Sequence, residues 1–246
     1  MVIHVAAAGN GTRMQTALEE MGFEGLPKHL LPTGEYHEQS LVGRNIAAAL
    51  ETSHEVILHA NENNYPLLAA GIGHLAIPII TDTLGSPLGP FSFTDHIAAG
   101  HTGASVAGDV FIEHPNWTDF LTAHEASRYP VSFLVGRVSG YPTNAAFDVN
   151  KSDGKIERFY RLTDEEHDIY RNIGMYAFTK TAEVVDVLEF YADRSAGEED
   201  KVATDLIREG LVRAHIHPDR FFNINCRTDY ESLLNFTATL QASSPE

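Results

Sequence analysis

The 246-residue chain is long enough for one sizeable α/β domain or two small ones, and 43% hydrophobic residues suit a protein with a real core. Its 17 basic and 34 acidic residues leave a formal charge of −17, a field that repels nucleic acid and anionic lipid and excludes general polyanion binding. A single cysteine, Cys226, excludes an internal disulfide and any multi-cysteine metal site.

Residues 2–8 form an apolar run that is too short for a signal peptide and lacks a basic leader, so a buried strand is expected there. No apolar run approaches the length of a membrane span. A cytoplasmic location is therefore expected, with the sequons at Asn10, Asn116 and Asn235 unmodified. Helix is expected over 41–50, strand at 56–59, helix at 65–72, and strand at 77–80 and 104–107. A core-facing helix follows at 117–127, carrying Phe120, Leu121 and His124, and then a strand at 131–138. Short strands crowd together at 146–149, 155–160 and 174–178, with Ser152-Asp153-Gly154 as the turn between the first two. Helices return at 182–191 and 201–209 around an acidic loop at 195–200, followed by a strand at 211–217. A capping box of Thr228 and Glu231 is expected to start the final helix, and residues 242–246 to fray.

Strand–helix alternation at these lengths predicts an α/β fold of Rossmann-like, three-layer type, its mixed sheet mainly parallel with helices on both faces. The crowded short strands predict a small antiparallel insertion at about 139–180 within a single domain spanning 1–246.

Two segments near the start carry the chemistry. Ala8-Gly9-Asn10-Gly11-Thr12-Arg13 leaves the first strand directly; its glycines let backbone N–H groups approach an anion, and Arg13 adds a fixed fork for phosphate oxygens. It is neither a P-loop nor a dinucleotide fingerprint, because the Gly-Lys-Ser/Thr and the third glycine are missing. Leu26-Pro27-Lys28-His29-Leu30-Leu31-Pro32 sets one lysine between two stiffening prolines, so its ammonium is positioned to neutralise charge on a phosphoryl group. Alone, the first would be a tight turn and the second a loop with a surface lysine.

Together and in this order they resemble the signature of the sugar-phosphate nucleotidyltransferases, A-G-x-G-T-R-[LM] followed by P-K-x-L-[LV]-P. The resemblance implies that Ala8, Gly9, Asn10, Gly11 and Thr12 bind nucleotide, and that Arg13 and Lys28 act on the reacting phosphates. The joining segment 14–26 is longer than usual, an elaborated loop. Ser86-Pro87-Leu88-Gly89 is similar to the family's base-facing loop, which implicates Pro87, Leu88 and Gly89. Gly108-Asp109, at the end of an expected strand, resembles the metal-binding G-D pair. Asp109 would then ligate Mg²⁺, with Gly108 beside the nucleotide; a helix-capping aspartate is the alternative. Phe222-Asn223-Ile224-Asn225-Cys226-Arg227-Thr228-Asp229 resembles the late [DN]-[IV]-[DN]-T segment. Asn225 is the implied second metal ligand, with Asn223 the second choice, and Asp229 belongs to the first helical turn. Asn172-Ile173-Gly174-Met175-Tyr176 looks like the sugar-facing N-x-G-[IM]-Y, so Asn172 and Gly174 are implied at the acceptor.

Two stretches depart from the family. Phe159-Tyr160-Arg161-Leu162-Thr163 stands where Glu-Lys-Pro is common, leaving Arg161 to supply the sugar-phosphate charge from an offset position. Asn144-Ala145-Ala146-Phe147 replaces Tyr-Gly. The expected reaction joins an NTP to a sugar 1-phosphate, or another phosphomonoester, with release of pyrophosphate. The alternatives are a cytidylyltransferase for an alcohol phosphate such as phosphocholine, and a sugar-nucleotide-binding regulatory protein without turnover. Neither nucleic acid nor membrane is an expected partner, and the family's range of assemblies allows a homo-oligomer. His215 and His217 share one strand face, with a structural role expected.

Overall fold

A computed structural model describes residues 1–9, 14–34, 39–81, 89–138, 146–160, 169–192 and 199–243. Its elements are β1 (Val2–Ala7), α1 (Gln15–Glu20), α2 (Leu41–Leu50), β2 (Glu55–Ala60), α3 (Tyr65–Ile72), β3 (Ile79–Thr81), β4 (Thr102–Ala107) and β5 (Val110–Ile112). They continue through α4 (Trp117–Glu125), β6 (Val131–Val138), β7 (Ala146–Val149), β8 (Ile156–Tyr160) and β9 (Ile169–Thr179). The chain ends with α5 (Ala182–Ala192), α6 (Glu199–Arg208), β10 (Val212–His217), β11 (Phe221–Asn223) and α7 (Arg227–Ser243). The fold class is the expected mixed α/β, with a mainly parallel central sheet and a small antiparallel pair. No helix among the described residues is long and apolar enough to cross a membrane.

The residues form two compact units, one of 1–3, 85–106 and 116–220, the other of 4–84, 107–115 and 221–246. In the first, the strands follow the order β10-β6-β9-β4, with β10 and β6 parallel and β9 antiparallel to both β6 and β4. The expected insertion strands are present: β7 pairs antiparallel with β8 and β9, and Gly154 turns the chain at φ +73°. The core here is aromatic, with Tyr176 edge-on to Phe91 at 5.1 Å and to Phe133 at 5.2 Å. Helix α4 buries Trp117, Phe120, Leu121 and His124, the face its sequence pattern predicts. His215 stacks edge-on against Phe120, a structural role for that ring.

The second unit carries β1, β2 and β3 in that order, with β2 and β3 parallel, and the antiparallel pair β5/β11. One core cluster gathers Met14, Leu18, Leu31, Leu41, Phe111, Ile224, Tyr230 and Leu233. Five stretches that are distant in sequence are thereby fixed around one apolar centre. The segment expected as an elaborated loop holds α1, which presents Leu18 to this cluster. An apolar side chain one turn after Met14 is what makes that stretch helical and not loose.

The capping box is misplaced by two residues. Helix α7 starts at Arg227, so Thr228 already lies inside it. Asp229 in its first turn accepts the backbone N–H groups of Asn225 and Cys226, both at 2.9 Å. Glu231 instead pairs with Arg227 one turn back. Helix α6 likewise begins at Glu199, within the stretch expected as an acidic loop.

Candidate functional site

Strand β1 delivers Ala8 and Gly9, and two asparagines hold its end. Asn64 donates to the Ala7 carbonyl at 2.6 Å and Asn61 to that of Ala8 at 2.7 Å. Each also accepts the other's backbone N–H at 2.8 Å, so the pair is locked after β2 before it grips β1. Among the described residues nothing lies within 4 Å of a Cβ added at Gly9, and its φ is not positive. Neither packing against the described residues nor a left-handed backbone asks for glycine there. Asn10, Gly11, Thr12 and Arg13 lie outside the described residues, as do Pro87, Leu88 and Arg161. Gly89 opens a 3₁₀ segment, Gly89–His96, in the first unit.

Lys28 begins a 3₁₀ turn capped by Pro27, whose φ of −61° is what its ring imposes. The proline sets the backbone, but the ammonium is held elsewhere. It forms an ion pair with Asp109 and donates to the Ile224 carbonyl at 3.3 Å. Both side chains are largely covered, at 11% and 16% exposure. Asp109 is tied to the same place through its backbone, since its carbonyl accepts the Ile224 N–H at 3.1 Å. Three stretches of chain thus meet at one point: the lysine turn, the Gly108-Asp109 pair, and the residue preceding Asn225.

The Gly108-Asp109 turn is built tightly. Gly108 donates its N–H to Ala6 at 2.7 Å, and a Cβ at that position would come within 2.8 Å of the same carbonyl. Asn45, 2% exposed, reaches from α2 to the carbonyls of Ala107 at 3.2 Å and Val110 at 2.9 Å, clamping both ends of the turn. Beneath it lies His29, 3% exposed, its Cδ2 within 3.3 Å of where that added Cβ would stand. Nδ1 of His29 has no hydrogen-bond partner among the described residues. Burial drives the His29 pKa down to about 4, so its ring is neutral at pH 7. Burial also opposes ionisation of Asp109, but the Lys28 ammonium and the hydrogen bonds to the carboxylate outweigh it, and its pKa falls below the ordinary value.

Asn172 and Gly174 sit in β9 of the first unit, at an irregularity in its pairing with β6. Gly174 has φ +91°, a conformation that favours glycine. The Asn172 side chain accepts the Gly174 N–H at 2.8 Å and donates to the Tyr176 hydroxyl at 2.8 Å. The bulge therefore builds itself from the residues expected to face a sugar.

Asn45, Asn61, Asn64 and His29 escape the motif reading. A signal exists for the first three: an asparagine stands inside the apolar helix of 41–50, and Asn61-Glu62-Asn63-Asn64 follows a strand directly. Among the described residues no group of three or more His, Cys, Asp or Glu could hold a metal ion.

No protein-family model matches this sequence, and no curated protein matches it. Solved structures do. A protein assigned as glucose-1-phosphate thymidylyltransferase from Bacillus anthracis, in complex with sucrose, superposes with TM-score 0.76 at 10% identity, covering 96% of this chain and 95% of its own. The chain has the fold of the nucleotide-diphospho-sugar transferases. The same fold is seen in the inositol-1-phosphate CTP transferase from T. maritima, with TM-score 0.72, 14% identity and coverage of 100% and 98%. HddC from Yersinia pseudotuberculosis superposes with TM-score 0.67 at 14% identity over 96% and 98% of the two chains. HddC has also been solved with GMP-PN.

Proposed function

We propose that this protein is a nucleotidyltransferase that joins a sugar 1-phosphate to the nucleoside monophosphate of an NTP and releases pyrophosphate. The observation that carries the reading is the meeting of Lys28, Asp109 and the Ile224-Asn225 backbone in a fold whose solved relatives include two named for this type of transfer. An acceptor phosphate oxygen attacks the α-phosphorus in line; the new P–O bond forms as the bond to the pyrophosphate oxygen breaks. A phosphomonoester is already anionic near neutral pH, so no protein base is needed. The protein's task is to align two anions and neutralise their crowded charge. On this reading Lys28 supplies a buried ammonium, Arg13 a guanidinium, and the backbone from Ala8 to Thr12 the N–H groups for the triphosphate. Pro87, Leu88 and Gly89 line the base, while Asn172, Gly174 and Arg161 attend the sugar phosphate.

Asp109 and Asn225 also suit a Mg²⁺ ion. One offers a carboxylate kept ionised, the other a neutral amide oxygen one residue from the Ile224–Asp109 hydrogen bond. Both are hard oxygen donors, and nucleotide phosphates complete the shell of such an ion. Bound there, it would add charge neutralisation at the phosphates. The net charge of −17 makes a local cationic cluster a requirement for any nucleotide ligand.

The test is pyrophosphate release from the four common NTPs against a panel of sugar 1-phosphates, inositol phosphate and phosphocholine, with Mg²⁺. Release with one base and one acceptor class, lost in Lys28→Ala and Asp109→Ala, is the expected result. Nucleotide binding without turnover across the whole panel contradicts it.

A further inference from the structure

On the reading just given, two groups have competing claims on them. Asp109 is wanted by a divalent cation and Lys28 by a phosphate, yet in the structure each is satisfied by the other. The second anchor of the ammonium, the Ile224 carbonyl at 3.3 Å, belongs to the residue before Asn225. Lys28 thus spans Asp109 and the backbone next to Asn225, and acts as the resident cation there. A free divalent ion arriving alone meets a carboxylate already neutralised, and it must drive an ammonium with only 11% exposure off its partner. Stranding a buried charge in this way is costly. A cation that arrives on a triphosphate brings the replacement partner with it, since phosphate oxygens take up the ammonium as the carboxylate is released.

We propose that the Lys28–Asp109 pair is the resting form of the site, and that it makes the protein select a metal–nucleotide complex over the free divalent cation. The proposal rests on the transferase reading and names the form in which that substrate is taken. By linkage, a nucleotide that raises metal affinity by taking up the Lys28 ammonium is itself bound more tightly, by the same factor, when the metal is present.

The experiment is a titration of nucleotide-free protein with Mn²⁺, followed by electron paramagnetic resonance. Lys28→Met binds Mn²⁺ more tightly than wild type, by a factor within about 5–150. Adding Asp109→Asn to that variant removes the gain. Lys28→Gln keeps a donor for the Ile224 carbonyl and serves if Lys28→Met does not fold. In unaltered protein, the slowly exchanging ammonium signal of Lys28 in nitrogen-15 NMR persists with Mg²⁺ alone and shifts when a non-hydrolysable NTP is added. Equal or weaker Mn²⁺ binding in both lysine variants, or loss of the ammonium signal with Mg²⁺ alone, overturns the proposal. None of these readouts needs turnover, so they separate its failure from that of the transferase reading, which fails on absent pyrophosphate release.

Discussion

The turn that carries Asp109 and the bulge at Asn172 use their polar side chains differently. Around Asp109 they reach across the sequence: Asn45 to the carbonyls of Ala107 and Val110, Asn64 to Ala7, Asn61 to Ala8, and Lys28 to Ile224. Each bond fastens backbone belonging to another element, and Asn45 ties both ends of the turn that carries Asp109. Around Asn172 the bonds are local, running to Gly174 and Tyr176 within a single strand. A cross-linked turn resists change at any one residue and fixes charge in place, which suits electrostatic work on phosphates. The side-chain hydrogen bonds of this bulge stay inside one strand, so substitutions within it can re-aim Asn172.

The contrast breaks most visibly at the ion pair. Lys28→Ala and Asp109→Ala are each expected to lower pyrophosphate release by about 10²–10³-fold. Lys28→Ala also leaves a covered carboxylate without its partner, with a loss of about 3–5 kcal/mol in chemical denaturation. Gly108→Ala follows, because its Cβ would meet the Ala6 carbonyl at 2.8 Å, and a backbone atom cannot swing aside. A loss of about 1–3 kcal/mol is expected, with activity falling as Asp109 is displaced. Asn45→Leu orphans two carbonyls and is expected to cost about 1–3 kcal/mol in the same measurement. An Asn45→Leu protein as stable as wild type would show that the clamp is not one.

Asn172→Ala sharpens the comparison from the other side. It removes two local bonds at about 1 kcal/mol net, and kinetics should show a raised KM for the acceptor with an unchanged KM for the NTP. The last effect is confined to acid pH. Burial lowers the His124 pKa from 6.5 to about 4, while its ring bonds Ser132 at 2.8 Å. The unfolded chain therefore takes up this proton first as pH falls. The contribution of His124 is complete above pH 6.5 and drains away toward pH 4. Denaturation between those limits should show a shallower pH slope in His124→Gln.

Periodicity placed most elements within one or two residues, because strand–helix alternation in a buried α/β fold leaves few other ways to cover apolar side chains. The pairing of Lys28 with Asp109 was beyond it. Motifs name residue types for a ligand-bound site, whereas a carboxylate and an ammonium 81 positions apart in sequence meet only through the fold. Start-of-helix chemistry misled by two residues at α7, where Asp229 and Thr228–Glu231 offer overlapping patterns and Asp229 is the one that takes the backbone N–H groups ahead of the helix. Asn172 and Gly174 were legible as a unit, but the sequence could not say that their first obligation is to each other.

Calorimetric titration of a non-hydrolysable NTP with Mg²⁺, using the base that supports turnover, tests the central claim most directly when run on wild type, Asp109→Ala and Asn172→Ala. If the cross-linked turn holds the nucleotide, Asp109→Ala binds it at least about tenfold more weakly and Asn172→Ala binds it as wild type does. Unchanged affinity in Asp109→Ala, or a loss confined to Asn172→Ala, would contradict the account.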